Sequence, residues 1–154
     1  MAAAEGGWWV TGGADGKIRV WSGPWTQNQK AFQELEHGEF VLSVASSGDG
    51  RFVGSCGGKT VKLWERKNGK ELGPALRFEN TDWCVAISPD GQFLATAAGD
   101  LNTRAPKQSS GQMRLWRVAD GKEIVEAAQS IPNGPARSVV FSPDGRYLAC
   151  AGWD

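Results

Sequence analysis

The sequence carries no excess charge of either sign. Seventeen Lys and Arg balance 17 Asp and Glu, so the formal net charge of the 154-residue chain is zero. Domains that bind nucleic acid present a cationic surface, and segments that bind anionic lipid are basic. The charge balance therefore predicts neither a nucleic acid nor a membrane as a partner.

Long apolar runs are missing as well. No stretch approaches the roughly 18 apolar residues of a membrane-spanning helix. The first residues, MAAAEGGWW, lack the basic start and the apolar core of a secretory signal. We expect a soluble chain.

Residues that usually build reactive centres are scarce. The three cysteines, Cys56, Cys84 and Cys150, are odd in number, and their spacing fits neither a zinc site nor a disulfide framework. We expect reduced thiols and a cytoplasmic location. The single histidine, His37, has no second histidine with which to share a metal and no nucleophile nearby in the sequence pattern. These absences predict no enzyme, no metal and no cofactor.

Tryptophan and glycine, in contrast, are abundant, with 8 and 21 residues. Three strand-like segments, KIRVW, TVKLW and QMRLW, end at Trp21, Trp64 and Trp116. The second interval exceeds the first because the third segment is preceded by about ten extra residues within LNTRAPKQSSG. Without them the chain repeats with a period of about 42 residues, within the range typical of a β-propeller blade.

Each period also contains a second pair of strands around a tight turn. The segments SVASSGDGRFVGS, VAISPDGQFLATA and VVFSPDGRYLACA place a turn of the type Ser-Pro-Asp-Gly between two apolar strands. After the Trp-ended strand, KNGK and ADGK supply Asn-Gly and Asp-Gly, which are strong hairpin signals. Each period is therefore predicted to be a four-stranded antiparallel meander, with residues 101–111 looped out.

FSPDGRYLACAGWD, ISPDGQFLATAAGD and TVKLW together resemble the WD-repeat family, from about Trp8 onward. The resemblance implies an all-β fold of propeller blades in an incomplete ring. We count three strands in the first unit, four in the second and third, and two in the last. The predicted blades occupy approximately residues 8–35, 36–77, 78–131 and, incomplete, 132–154.

The resemblance also implies a structural hydrogen-bond set inside each blade. It comprises a His before the inner strand, a Ser or Thr on the second strand, an Asp in the next turn and a Trp on the third strand. This chain supplies parts of three sets, with the Asp missing from the second and the His from the others. The matching residues are His37, Ser55 and Trp64, then Thr11, Asp15 and Trp21, then Thr96, Asp100 and Trp116.

A partner site is expected where the loops before the inner strands meet the turns between second and third strands. In family members these loops converge at one end of the channel. Trp and Arg are typical anchors of protein interfaces, with carboxylates at the rim. The candidate residues are Glu39, Asp82, Trp83 and Arg137 from the first set and Arg104, Lys107 and Trp153 from the second.

The function predicted from these features is a non-catalytic scaffold or sensor module that binds a protein or peptide, as part of a larger regulatory protein. The alternative is a ligand-binding or enzymatic propeller of another family. Leu42, Trp83 and Arg137 match the inner-strand position that faces the channel mouth in family members, and they include no carboxylate pair or metal set. Because a closed propeller has about four to eight blades, we expect the remaining blades, or another copy of the chain, to close the ring.

Overall fold

The computed structural model describes residues 2–4, 7–23, 30–73, 75–77, 82–99, 111–124, 129–131 and 135–152. These ranges contain sixteen β-strands and no helix. In chain order the strands are β1 (Ala2–Ala4), β2 (Trp8–Gly12), β3 (Lys17–Ser22), β4 (Gln33–Glu36), β5 (Ser43–Ser46), β6 (Phe52–Gly57), β7 (Thr60–Glu65), β8 (Lys70–Glu71), β9 (Leu76–Arg77), β10 (Asp82–Ile87), β11 (Phe93–Gly99), β12 (Gly111–Arg117), β13 (Lys122–Glu123), β14 (Gln129–Ile131), β15 (Ala136–Phe141) and β16 (Leu148–Gly152).

The strands form four antiparallel sheets that follow one another along the chain. Their orders are β1-β2-β3-β4, β5-β6-β7-β8 with β9 also on β7, β10-β11-β12-β13 with β14 also on β12, and β15-β16. The all-β fold of four-stranded meanders is confirmed. No described strand of the fourth sheet pairs with one of the first, so the described part of the chain forms an open ring.

The first sheet has one strand more than the sequence predicted. Ala2–Ala4 pairs with the start of β2, with Ala2 opposite Val10 and Ala4 opposite Trp8. The count of three strands for this unit is therefore wrong. Three small residues carry no alternation of apolar and polar side chains, so the pattern that revealed the other strands is absent from β1.

The outer strands of the second and third sheets are each divided into two short pieces. β8 and β9 both pair with β7, and β13 and β14 both pair with β12. The interruptions lie opposite Lys62 and Leu63 of β7 and opposite Arg114 and Leu115 of β12. Of the predicted insertion, residues 101–110 lie outside the described ranges, and Gly111 is the first residue of β12.

A repeated turn joins the first and second strands of the last three sheets. In the third sheet, the Ser88 hydroxyl donates to Asp90 Oδ1 at 2.6 Å and accepts the Phe93 amide at 2.9 Å. The bond from Ser88 keeps the pKa of Asp90 below its usual value. The same two contacts recur around Ser47 and Ser142. The glycine after the aspartate has φ of 71° or 72° in all three turns, a conformation that favours glycine.

Three apolar clusters fill the gaps between consecutive sheets. The gap between the first and second sheets is lined by Val10, Ile18, Val20, Val44, Val53 and Trp64. The next gap is lined by Cys56, Val61, Leu63, Val85, Ile87 and Leu94. The last is lined mainly by small residues, Ala86, Ala95, Ala97, Ala136 and Val139. Each sheet is thus held by its neighbours, as in other repeat proteins.

Candidate interaction face

One end of the sheets is built from a segment laid across two turns. Residues 37–42 precede β5 and run past the turn between β2 and β3 and the turn between β6 and β7. The His37 amide donates to Gly16 O at 2.9 Å, the Val41 amide to Gly13 O at 3.0 Å, and the Leu42 amide to Cys56 O at 2.8 Å. We call this surface, residues 37–42 with the turns 13–16 and 57–59, the loop face.

Glycine is required where this segment approaches the second sheet. A Cβ on Gly57 would collide with the carbonyl oxygen of Phe40, a backbone atom that cannot move independently. A Cβ on Gly12, in the first sheet, would collide with the side chain of Val41. Because the backbone touches both sheets at once, the segment has little freedom to move, and its outward side chains are presented from a fixed frame.

A buried hydrogen-bond network anchors the segment from below. His37 Nδ1 lies 3.0 Å from the Ser55 hydroxyl, and Trp64 Nε1 donates to the same oxygen at 3.0 Å. On the other side of the ring, His37 Nε2 lies 3.1 Å from the Thr60 hydroxyl. Burial lowers the pKa of His37, which is 2% exposed, so the ring is neutral at pH 7. Thr60 was not foreseen from the sequence, although it follows the Gly-Lys turn directly.

The corresponding residues of the first sheet are only partly connected. Trp21 Nε1 donates to the Thr11 hydroxyl at 3.0 Å. Asp15 is exposed and forms an ion pair with Arg19 at 2.6 Å, and its pKa is lowered by that contact and by the Lys17 amide. Asp15 therefore fixes the turn before β3.

In the third sheet the structure locates two of the three predicted residues. Thr96 is buried, opposite Arg114. Trp116 is half-buried and packs on the cluster between the second and third sheets. Asp100 lies outside the described ranges.

The outward side of the loop face is apolar with an acidic rim. Phe40 is 49% exposed and Leu42 is 42% exposed, two of the large apolar side chains that remain open to solvent. Glu39 is also exposed, and its Oε2 accepts the Lys59 amide at 3.3 Å. Sequence reasoning selected Glu39 but missed Phe40, because a pattern of residues does not reveal which side of a loop faces solvent.

The predicted anchors Trp83 and Arg137 occupy equivalent places in the fold. The register of β10 on β11 skips Trp83, between Asp82 and Cys84, and the register of β15 on β16 skips Arg137. Both residues are therefore the extra residue of a β-bulge at the start of an inner strand, a feature that redirects side chains. Arg137 is half-buried. Of Asp82 and Trp83 only the backbone is described.

Three other predicted contact residues fall outside the described ranges. They are Arg104, Lys107 and Trp153.

A second repeated polar feature escaped the sequence analysis. Two residues before each strand-ending Trp stands a basic residue that pairs with a Glu of the outer strand. The pairs are Arg19–Glu34 at 3.0 Å, Lys62–Glu71 at 3.3 Å and Arg114–Glu123 at 3.8 Å. The signal was present as a basic residue recurring in KIRVW, TVKLW and QMRLW. These pairs join the third strand to the fourth.

The described residues provide no cluster of three or more His, Cys, Asp or Glu side chains able to hold a metal ion. The three cysteines are free, and burial raises the pKa of Cys150. A raised pKa disfavours the nucleophilic thiolate. No helix in the described ranges has the length and apolar character needed to span a membrane.

Comparison with known proteins identifies the repeat. The family model "WD domain, G-beta repeat" matches residues 3–22, 29–65, 80–117 and 129–154. The rat (Rattus norvegicus) apoptotic protease-activating factor 1 is 31% identical over 146 residues, which cover 90% of this chain and 11% of that protein. The WD repeat-containing protein SL1-17 of Schistosoma mansoni is 32% identical over 181 residues, which cover 94% of this chain and 58% of that protein.

The protein transport protein sec13 of Emericella nidulans is 35% identical over 100 residues, covering 59% of this chain and 32% of that protein. Among solved structures, the Kuenenia stuttgartiensis hydrazine synthase superposes with a TM-score of 0.74 at 19% identity, over 98% of this chain and 43% of that one. At this identity the likeness is one of fold alone. The chain spans 11% to 58% of the length of these three curated relatives.

Proposed function

The chain belongs to the WD-repeat family, and from that premise we propose that it is a non-catalytic module that binds a protein or peptide through the loop face. The observation that carries the proposal is the exposure of Phe40 and Leu42 on a backbone that is hydrogen-bonded to the turn 13–16 and to strand β6. Exposed apolar side chains on a rigid frame, with a carboxylate beside them, have the composition of a protein interface. Binding such a surface requires little ordering of the loop, which favours affinity.

The bulge residues Trp83 and Arg137 extend the proposed surface along the inner strands. Trp and Arg are the side chains most often found as interface anchors. We assign Asp82 to the same surface on its position beside Trp83. Arg104, Lys107 and Trp153 remain predicted contacts.

The enzymatic alternative finds no support in the described residues. His37 is engaged by two hydroxyl groups beneath the surface, and it is used to hold the loop. We also propose a cytoplasmic location, which agrees with three free thiols. That further blades or another copy of the chain close the ring stays a prediction, as does a place in a larger regulatory protein.

The proposal is tested by comparing two exposed phenylalanines at opposite ends of the sheets. Phe40 lies on the loop face, and Phe32, which is 64% exposed, lies at the other end beside Asp49 and Arg66. The variants Phe40→Asp and Phe32→Asp remove similar apolar areas and add the same charge. Each variant, and in parallel the unchanged chain, is used to capture binding proteins from a cell lysate.

We expect a set of partners that is lost with Phe40→Asp and retained with Phe32→Asp. In calorimetry, the purified partner should release or absorb heat when it binds the unchanged chain. No heat of binding should be measured with Phe40→Asp. Equal recovery of every partner by both variants would contradict the assignment of the loop face.

A further inference from the structure

A cleft between the second and third sheets is the feature that the proposed function leaves unused. It has a volume of about 510 Å³ and lies at the end of the sheets opposite the loop face, where β12 ends at Arg117. Both sheets that bound it pack on a neighbouring sheet on each of their two faces. Clefts that bind small molecules have volumes of roughly 300 to 1,000 Å³, so this one is large enough for a ligand.

The lining of the cleft is apolar and incompletely packed. Val61, Leu63 and Leu94 are buried and line its depth. The side chains that pack on this cluster while only partly buried all line the same space, and they are Phe52, Leu72, Leu76, Trp116 and Val118. A ligand in the cleft would remove the apolar area of these side chains from water, which favours binding.

One difference between the repeats explains why the cleft is larger here than in the first gap. Two residues after the strand-ending Trp, the second sheet has Arg66 and the third sheet has Val118. The Arg66 guanidinium lies 4.9 Å from the centroid of the Trp8 ring, and its Nε donates to Gly50 O at 2.7 Å. The space that remains beside it is about 300 Å³. Val118 is too short to extend across the next gap in this way.

The divided outer strand of the second sheet contributes as well. In the first sheet β4 is continuous, and Leu35, opposite Ile18, is 4% exposed. Leu76 has the corresponding place opposite Val61, but β9, to which it belongs, is separate from β8. Leu72 and Leu76 consequently remain half-buried at the side of the cleft.

The charged side chains among the described lining residues are Arg117 and Asp120, both exposed at the rim. Asp120 accepts the Lys122 amide at 3.2 Å and Arg117 Nη1 at 3.0 Å, and these bonds lower its pKa. Because Arg117 and Asp120 neutralise each other, the rim favours neither an anion nor a cation. A carboxylate has about four acceptor sites, so Asp120 can accept a further N–H or O–H donor.

We propose that the cleft binds an uncharged small molecule with a planar aromatic ring system and one N–H or O–H donor. The ring would lie against Trp116, because aromatic rings stack on one another, and the donor would bond to Asp120. The apolar lining supplies the affinity, and the neutral rim selects an uncharged ligand. The cleft is separate from the loop face, and the inference does not depend on the proposed function.

The experiment uses the full chain and indole as the probe, with binding followed by NMR. We expect saturable shifts, and nuclear Overhauser contacts from indole protons to the methyl groups of Leu63, Leu72 and Val118. Val118→Arg places in this gap the side chain found in the first gap. It should weaken indole binding by about tenfold or more, because it fills the cleft. Val140→Arg, the same change at an exposed valine of β15, is the matched control and should alter affinity by less than about threefold.

Derivatives of the probe test the class of ligand. Indole acetate is an anion and tryptamine is a cation, and each should bind at least about tenfold more weakly than indole, because a charge is costly to remove from water without a partner. Acetylated tryptophan amide carries the same ring on peptide groups. It should also bind more weakly, since its amides would meet an apolar lining.

The role of Asp120 is tested with a pair of probes of the same shape. Asp120→Ala removes the acceptor and should weaken indole binding by about threefold or more. Benzofuran lacks the N–H, so the same variant should leave its affinity unchanged. Equal weakening of both probes would remove the hydrogen bond from the proposal.

Three results would overturn the proposal as a whole. The first is the absence of saturable indole binding, or contacts that locate the bound indole outside the cleft. The second is equal affinity for Val118→Arg and the unchanged chain. The third is tighter binding of a charged derivative or of acetylated tryptophan amide, because the occupant is then an ion or a side chain of another protein. Should Val118→Arg fail to fold, the contacts observed in the unchanged chain and the order of the four indole affinities still decide.

Discussion

The imidazole of His37 and the hydroxyl of Ser55 lie 3.0 Å apart in the interior of the second sheet. Because Trp64 donates to the same hydroxyl oxygen, one small side chain serves two buried rings. Ser55→Ala leaves both rings short of a partner, and we expect a loss of about 2 to 4 kcal/mol in the free energy of unfolding. Thr11→Val is the control, since Trp21 is half-buried and can bond to water, so that its loss should stay below about 1 kcal/mol. Urea unfolding measures both, and equal losses would contradict the prediction.

As the pH falls, protonation linked to His37 should lower the free energy of unfolding before the carboxylates become protonated. Burial lowers the pKa of His37, so the unfolded chain binds more protons than the folded chain between that lowered pKa and the ordinary value of about 6.5. The stability contributed by neutral His37 is complete above about pH 6.5 and decreases as the pH falls toward the lowered pKa.

Since the chain has one histidine, His37→Gln should flatten the stability profile between about pH 6.5 and pH 4.5, where aspartates of lowered pKa are still ionised. Thermal unfolding at a series of pH values gives the two profiles. A variant whose stability falls as steeply as that of the unchanged chain would show that another group is responsible.

The hydrogen bonds of the repeated turns should contribute more to stability where the serine is buried than where it is exposed. Ser88 and Ser142 make the same two hydrogen bonds, but Ser88 is 1% exposed and the turn of Ser142 is open to solvent. We expect Ser88→Ala to cost about 1 to 2 kcal/mol and Ser142→Ala about 0.5 kcal/mol or less, because water can replace the exposed hydroxyl. The comparison requires only the urea midpoints of two single variants. A larger effect at Ser142 would be incompatible with this explanation.

Two glycines of β6 should respond differently to the same substitution. Gly57→Ala places a methyl group against the carbonyl of Phe40, so we expect a loss of about 2 kcal/mol or more and shifted amide resonances for residues 37–42. Gly54→Ala places its methyl group 3.3 Å from the ends of Val85, Ile87 and Leu94, which can yield, and should change stability by less than about 1 kcal/mol. Unchanged resonances in Gly57→Ala would mean that the segment does not rest on Gly57.

The bulge residues provide a test of the interface that is independent of Phe40. Replacing Trp83 and Arg137 together with Ala should weaken binding of the captured partner by about 2 kcal/mol or more, if they act as anchors. The β-sheet circular-dichroism signal should be retained. Phe32→Ala serves as the control for the loss of an exposed aromatic side chain. A folded double variant with unchanged affinity would remove both residues from the site.

Much of the fold was accessible from the sequence because its signals are local. Trp21, Trp64 and Trp116 recur with the period of the repeat, and the Ser-x-Asp-Gly turns carry their own hydrogen bonds, so these strands follow from short-range patterns. Ala2–Ala4 has no such pattern and is a strand through its pairing with β2 alone. The sequence also does not reveal that the outer strands of the second and third sheets are each divided in two. That division depends on where the backbone departs from its hydrogen-bonded pairing with the third strand.

The site was less accessible, because it is defined by directions in space. Glu39 could be selected by its place before an inner strand, whereas the exposure of Phe40 and Leu42 depends on contacts of the segment with Gly13, Gly16 and Cys56. These contacts join residues that are far apart in the chain. Propensity and periodicity do not encode them.

Several alanines line the gap between the third and fourth sheets, and they should reduce the stability of the contact between these sheets. A gap filled by Ala86, Ala95 and Ala97 removes less apolar surface from water than one filled by Ile18, Val20 and Trp64, and the gain scales with that area. We therefore expect the β15–β16 hairpin to be the most weakly docked of the four described sheets, and to open before global unfolding. A ligand that binds this hairpin would suppress its local opening. Thermal unfolding would then become more cooperative, although the ligand contacts none of the other three sheets.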